Sequence, residues 1–178
     1  MSGAARKARL FWPILLVLVA ADCATKQLAE TQLPPVNVPF PVLGSLVNFT
    51  LAYNIGAATG ITLGAYSRWG FSLLTLVILA LLGRLYRQTR PDERWQLAAL
   101  ALVCGGAIGN LIDRLRSPLG VVDFIDIGLG AYRFWTFNLA DVAVTLGATG
   151  LAVVLWNKEG RGEPGQAIAA EHDVTSDP

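Results

Sequence analysis

Charge is what this sequence has least of. Only 15% of its 178 residues are Asp, Glu, Lys or Arg, while 53% are hydrophobic. A soluble domain of ordinary composition carries about 25% charge, so the deficit points to lipid as the solvent. The net charge is +1 and no basic run is interleaved with aromatics, which sets nucleic-acid binding aside. Histidine is nearly absent. The single one, His172, sits in a polar tail, which all but excludes a zinc enzyme or a Ser-His-Asp hydrolase. Cysteine is scarce too: Cys23 and Cys104 both fall in apolar stretches, so they read as small buried hydrophobes and imply neither a disulfide framework nor a metal knuckle. No internal repeat is present.

What is there is a set of long apolar runs. A helix needs about 20 mostly apolar residues to cross a bilayer. Four stretches qualify, at residues 10–30, 69–86, 95–113 and 137–156. Trp12, Trp69, Trp95, Trp135 and Trp156 all lie near the ends of these stretches, where an indole keeps its ring in the interface and its N–H in water. Lys and Arg concentrate on cytoplasmic segments. Arg6, Lys7 and Arg9 precede the first span, Arg84, Arg87, Arg90 and Arg94 lie between the second and third, and Lys158 and Arg161 follow the fourth. The first longer loop has only Arg68, and the second has Arg114, Arg116 and Arg133, partly offset by Asp123 and Asp126. Both termini and the middle loop are therefore expected in the cytoplasm and the two longer loops outside. The basic start and apolar core at residues 6–21 could belong to a cleaved signal peptide, but Asp22 before Cys23 does not suit a lipoprotein processing site, so the first span is read as retained.

The fold expected is an all-α integral membrane protein of four transmembrane helices. A small β-containing extracytoplasmic element lies between helices 1 and 2. There Pro34, Pro35, Pro39 and Pro41 forbid a long helix. Residues 46–53 read as a short strand and Asn54-Ile55-Gly56 as a turn. Residues 1–157 form one polytopic domain, and the Gly-, Pro- and acid-rich residues 158–178 form a disordered cytoplasmic tail.

Ionisable residues within or beside membrane spans are costly, so each is a functional candidate. Asp22 and Lys26 lie four apart on one face of the first helix, either as a neutralising pair that locks the helix or as support for a site. Small residues at the end of the third span permit close packing before Asn110, Asp113 and Arg114, which share a face. Asp113 and Arg114 are placed to bond loop backbone. Asp123 is embedded in the apolar run Val121-Val122-Asp123-Phe124-Ile125-Asp126, an unusual setting for a solvated loop carboxylate. Asn138 and Asp141 open the fourth span, where they suit a helix cap. Asp123 and Asp141 thus approach the outer membrane face from separate elements. If they converge, their repulsion leaves one protonated acid and one ionised base, a pair able to activate water without metal, Ser or Cys.

Five blocks in order carry a resemblance: Asp22-Cys23-Ala24-Thr25-Lys26, Asn54-Ile55-Gly56-Ala57-Ala58, the run from Gly105 to Arg114, the run from Val121 to Asp126, and Phe137-Asn138-Leu139-Ala140-Asp141. Over roughly residues 10–157 the chain resembles lipoprotein signal peptidase (signal peptidase II), a family of bacterial intramembrane aspartyl proteases. The resemblance implies that Asp123 and Asp141 are the catalytic aspartates. It also implies that Asp22, Lys26, Asn54, Gly56, Asn110, Asp113, Arg114 and Asn138 bind substrate or support the site. It implies a monomeric, multi-pass protein of the bacterial cytoplasmic (inner) membrane with its active site near the outer face and no metal or other cofactor. The implied reaction is removal of signal peptides from prolipoproteins, cut just before a diacylglyceryl-modified cysteine. Partners are those substrates and membrane lipid. Two positions depart from the family pattern: Cys23, where Gln is frequent, and Thr59, where an aromatic commonly follows the Gly-Ala-Ala stretch. A proton relay or small transporter predicts polar residues through the whole bundle thickness, and an assembly factor predicts no convergent acids. Here the polar residues gather at one face.

Overall fold

The computed structural model describes residues 2–56, 62, 64–130 and 132–159. Its four long helices are α1 (Gly3–Gln32), α2 (Ser67–Gln88), α3 (Arg94–Arg116) and α4 (Leu139–Glu159). All four are long and apolar enough to cross a membrane. They overlap the four spans expected from hydropathy, extended at most ends by polar turns that an apolar window does not detect. Lys158, read from the sequence as the first tail residue, belongs to α4 because its ammonium reaches Glu93 at 2.6 Å at the start of α3. The rest of the expected tail, from residue 160, lies outside the described residues.

Helix α3 is the one most enclosed by the others, packing against α1, α2 and α4. Its sequence explains why. A Cβ on Gly105 would stand 2.8 Å from Leu18 Cδ2, and one on Gly106 would stand 2.8 Å from Val144 Cγ2 and run into the Ala140 carbonyl. One on Gly109 would collide with the Asp22 carboxylate. With no hydrophobic force to drive helices together in lipid, such backbone-to-backbone approach is what holds them. Gly106→Ala is therefore expected to cost about 1–3 kcal/mol, read as an earlier midpoint in detergent-denaturant unfolding. An unchanged midpoint would contradict this packing.

The sheet is the main departure from expectation. Strands β1 (Pro39–Leu43) and β2 (Val47–Asn54) form the anticipated element between α1 and α2. The loop expected between α3 and α4 supplies two more, β3 (Val121–Leu129) and β4 (Tyr132–Arg133), giving an antiparallel sheet of order β1-β2-β3-β4. The run around Asp123 hid a strand because Val121, Val122, Asp123 and Phe124 are all buried, so no polar–apolar alternation marks it. Phe137 extends the pairing: it accepts from the Phe124 and Ile125 amides at 3.0 and 2.8 Å. That bond draws the start of α4 onto β3. At the other end of β3, Gly120 has φ +97° and lies against the backbone of Asn54 and Ile55, a conformation and an approach that only glycine tolerates.

Candidate active site

The site lies where the starts of β3 and α4 meet the ends of α1, α3 and β2. Its geometry begins with a helix cap. Asn138 precedes α4, and its side-chain oxygen accepts the Asp141 N–H at 3.0 Å while the Asp141 carboxylate accepts the Asn138 N–H at 3.2 Å. This reciprocal box satisfies two of the amides a helix start leaves open. A third, on Ala140, donates to Asp22 Oδ1 at 2.9 Å. Capping thus orients Asp141 and brings α1 to the same point.

The cap also determines which way Asn138 faces. With its oxygen held by the Asp141 amide, its Nδ2 points to Asp123 Oδ1, 2.7 Å away, and to the Val122 carbonyl at 3.2 Å. Both carboxylates therefore converge on one asparagine. Asn54, at the end of β2, donates to the other oxygen of Asp123 at 3.3 Å, and its own oxygen accepts the Gly56 amide at 2.9 Å. Asn110 on α3 donates to Asp141 Oδ1 at 2.8 Å.

Behind this layer sits a buried ion cluster. Lys26 is fully enclosed, and its Nζ lies 2.8 Å from Asp22, 2.9 Å from Asp113 and 2.9 Å from the Asn110 oxygen. Lysine has only donors, so it commits the Asn110 oxygen inward and its amide nitrogen to Asp141. Asp113 also accepts the Val122 N–H at 3.2 Å and pairs with Arg116 at 3.3 Å, tying α3 to β3. Arg114 donates to the Gly56 carbonyl at 3.2 Å and to the Asn110 carbonyl at 3.4 Å, and its charge faces both Asp123 and Asp141. All ten residues singled out from the sequence thus fall into one connected cluster.

Asp123 is 3% exposed. Burial and the facing charge of Asp141 push its carboxyl up from 3.8 to about 7, against the opposing help of Asn138, Asn54 and Lys26. One acid that keeps its proton near neutrality and a second acid beside it make a general acid–base pair. Among the described residues no group of three or more His, Cys, Asp or Glu side chains could hold a metal ion.

The profile of the signal peptidase (SPase) II family matches residues 14–157. The chain belongs to that family. A lipoprotein signal peptidase from Xanthomonas euvesicatoria is 38% identical over 93% of this chain and 97% of the relative. One from Pseudomonas paraeruginosa is 39% identical over 89% of this chain and 95% of the relative. A bacterial membrane enzyme solved in meso at 2.3 Å superposes with a TM-score of 0.75 at 30% identity, covering 86% of this chain and 91% of the other. A second, solved at 1.9 Å, gives 0.70 at 32% identity, covering 80% and 89%. This member of the signal peptidase II family is thus a multi-pass membrane peptidase.

Of the two departures from the family pattern, Cys23 is half-buried on α1 beside Asp22, and Thr59 lies outside the described residues. Sequence reading missed a second polar cluster in the sheet. Asp126 is buried and paired with Arg133 at 2.9 Å. A strand assignment for the run from Val121 would have flagged Asp126 along with Asp123. It also missed Thr50, whose hydroxyl donates to Asp126 at 3.1 Å and carries no signal in a short strand.

Proposed function

We propose that this chain removes signal peptides from prolipoproteins as a metal-free aspartyl endopeptidase, cutting just before a diacylglyceryl-modified cysteine, with Asp123 and Asp141 as the catalytic pair. The observation that carries this reading is the convergence of both carboxylates on Asn138, at 2.7 and 3.2 Å. The names of the relatives support the substrate class. Asp141, the more exposed of the two, is the base: it takes a proton from water as the oxygen attacks the scissile carbonyl. Asp123, its carboxyl raised to about 7, is protonated in a large fraction of molecules near neutrality and donates that proton to the carbonyl oxygen. When the tetrahedral intermediate collapses, the C–N bond breaks, the departing cysteine amine receives the proton from Asp141, and Asp123 recovers its own from the collapsing hydroxyl. Asn54, Asn110 and Asn138 hold the carboxylates, while Asp22, Lys26, Asp113 and Arg114 hold the asparagines and backbone in place.

The Lys and Arg distribution supports a bacterial inner-membrane protein with both termini in the cytoplasm, and so a site near the outer face. A substrate that is a membrane helix ending in a lipid anchor has its cut site fixed at that depth. The pair acts within one chain, and the reading requires neither a second copy nor a cofactor. The test is cleavage of a diacylglyceryl-modified prolipoprotein by the purified protein in detergent. Turnover should persist in EDTA and in the Cys23→Ala/Cys104→Ala variant, and the product should begin with the lipid-bearing cysteine. Complete loss under either condition, or a product starting elsewhere, would defeat the assignment.

A further inference from the structure

Arg133 ties three parts of the sheet together away from the dyad. Its Nε donates to Asp126 Oδ1 at 2.9 Å, one terminal nitrogen to the Asp126 carbonyl at 2.8 Å, and the other to the Ser45 carbonyl at 2.5 Å. Ser45 lies in the turn between β1 and β2, Asp126 in β3 and Arg133 in β4. The Asn48 amide, turned with its oxygen toward Arg133, accepts at 3.0 Å, and Thr50 donates to Asp126 at 3.1 Å. Asn48 faces Asp126 across the β2–β3 ladder.

The buried residues of this ladder, Leu51, Val122 and Phe124, lie toward its Asp123 end, and the clasp sits at the hairpin end. Register is normally set by which face is buried. All five residues of β1 are exposed. The β2–β3 pairing also shifts between Phe49 and Ala52, so a bulge separates the Asn48–Asp126 end from the Ala52–Asp123 end. A bulge bends its strand and re-aims the side chains beyond it. The strand end beyond it carries Asn54, which donates to Asp123. A slip of one residue would move Asn54 by about 3.3 Å and turn it to the other face.

We propose that Arg133 is a positioning residue: with Asp126 it locks the β1–β2 hairpin onto β3 in the register that holds Asn54 on Asp123. This rests on the aspartyl reading above. Its consequence is kinetic. Losing the Asn54 bond removes a donor that favours ionised Asp123. The alkaline limb of the pH–rate profile should then move to higher pH. Asp141 from α4, Arg114 from α3 and Lys26 from α1 also face Asp123, and they are the same in every variant compared.

The experiment is a double-mutant cycle on the full chain in detergent with diacylglyceryl prolipoprotein. Arg133→Ala should lower kcat by about 10- to 100-fold with KM nearly unchanged, and should shift the alkaline limb in the same direction as Asn54→Ala. The double variant should be no worse than Asn54→Ala alone, because both act through one bond. Arg133→Lys should recover part of the rate, since a single ammonium reaches fewer of the acceptors. If Arg133→Ala does not fold, Arg133→Lys carries the test through the same limb. A wild-type kcat and limb in the folded variant, a change in KM alone, or multiplicative losses in the double would overturn the proposal. Each of these is compatible with an inactive Asp123→Asn. An active Asp123→Asn would instead remove the aspartyl reading itself.

Discussion

Lys26→Met loses about 3–5 kcal/mol of stability, the cost of leaving buried charges without their partner. Lys26 is 1% exposed and lies within 2.9 Å of both Asp22 and Asp113. Methionine fills the same space, so the loss is electrostatic and not a cavity. A typical domain is stable by only about 5–15 kcal/mol, so the loss takes a large share of the stability and should lower the unfolding midpoint sharply. Adding Asp22→Asn and Asp113→Asn removes the uncompensated charges and should return a large part of the stability. It should not return activity, because the Asn110 oxygen has lost the ammonium 2.9 Å away that orients its amide toward Asp141. Unfolding midpoints and turnover measured on the same preparations separate the two effects. A Lys26→Met protein as stable as the parent would contradict the role of the cluster.

The helices were legible because lipid imposes a length and a composition. The four apolar runs could satisfy their backbone only as spans, and the structure departs from them in added polar end turns and at Phe137, which pairs with β3 ahead of α4. Helix α1 continues outward past Trp12 to Gly3, a polar turn that a hydropathy window does not detect. The sheet was half legible. Residues 46–53 were read as a strand and β2 spans Val47–Asn54. Strand β3 was not foreseen because it is buried over Val121 to Phe124 and lacks alternation. Within the expected β-containing element, β1 was not singled out, because Pro39 and Pro41 spoke only against a helix. Proline is accepted at a sheet edge, and β1 is an edge strand.

At the site, the residue types were readable and the wiring was not. Asn138 and Asp141 lie one turn apart, which suggests a cap, and the cap is there. That the same asparagine reaches Asp123 depends on Phe137 pairing with Ile125, a contact with no sequence signature. Asp22 and Lys26 share a helix face by spacing alone. Their link to Asp113, 91 and 87 residues further along, is tertiary. Arg133 appeared only as a loop charge, since its partners come from three separate segments.

The largest loss is expected at the dyad. Water attack needs one group to take its proton and another to polarise the carbonyl, and one carboxylate cannot do both in the same step. Asparagine keeps the shape of either residue and removes its proton chemistry. General acid–base help is worth about 10² to 10⁴-fold per group, so each single Asn variant should lose at least that much. Groups that act as a unit are not additive, so the double variant should be little worse than either single. Wild-type activity should follow a bell-shaped pH profile. Asp123 held at about 7 implies a fall on the alkaline side near neutrality, with apparent values that belong to the pair. Binding should largely survive in both variants, because apolar contacts hold a lipid-bearing helix. The most direct measurement is turnover of diacylglyceryl-modified prolipoprotein by purified, folded Asp123→Asn and Asp141→Asn. The account predicts that both bind substrate and that both are nearly inactive; near-normal turnover by either one would contradict it.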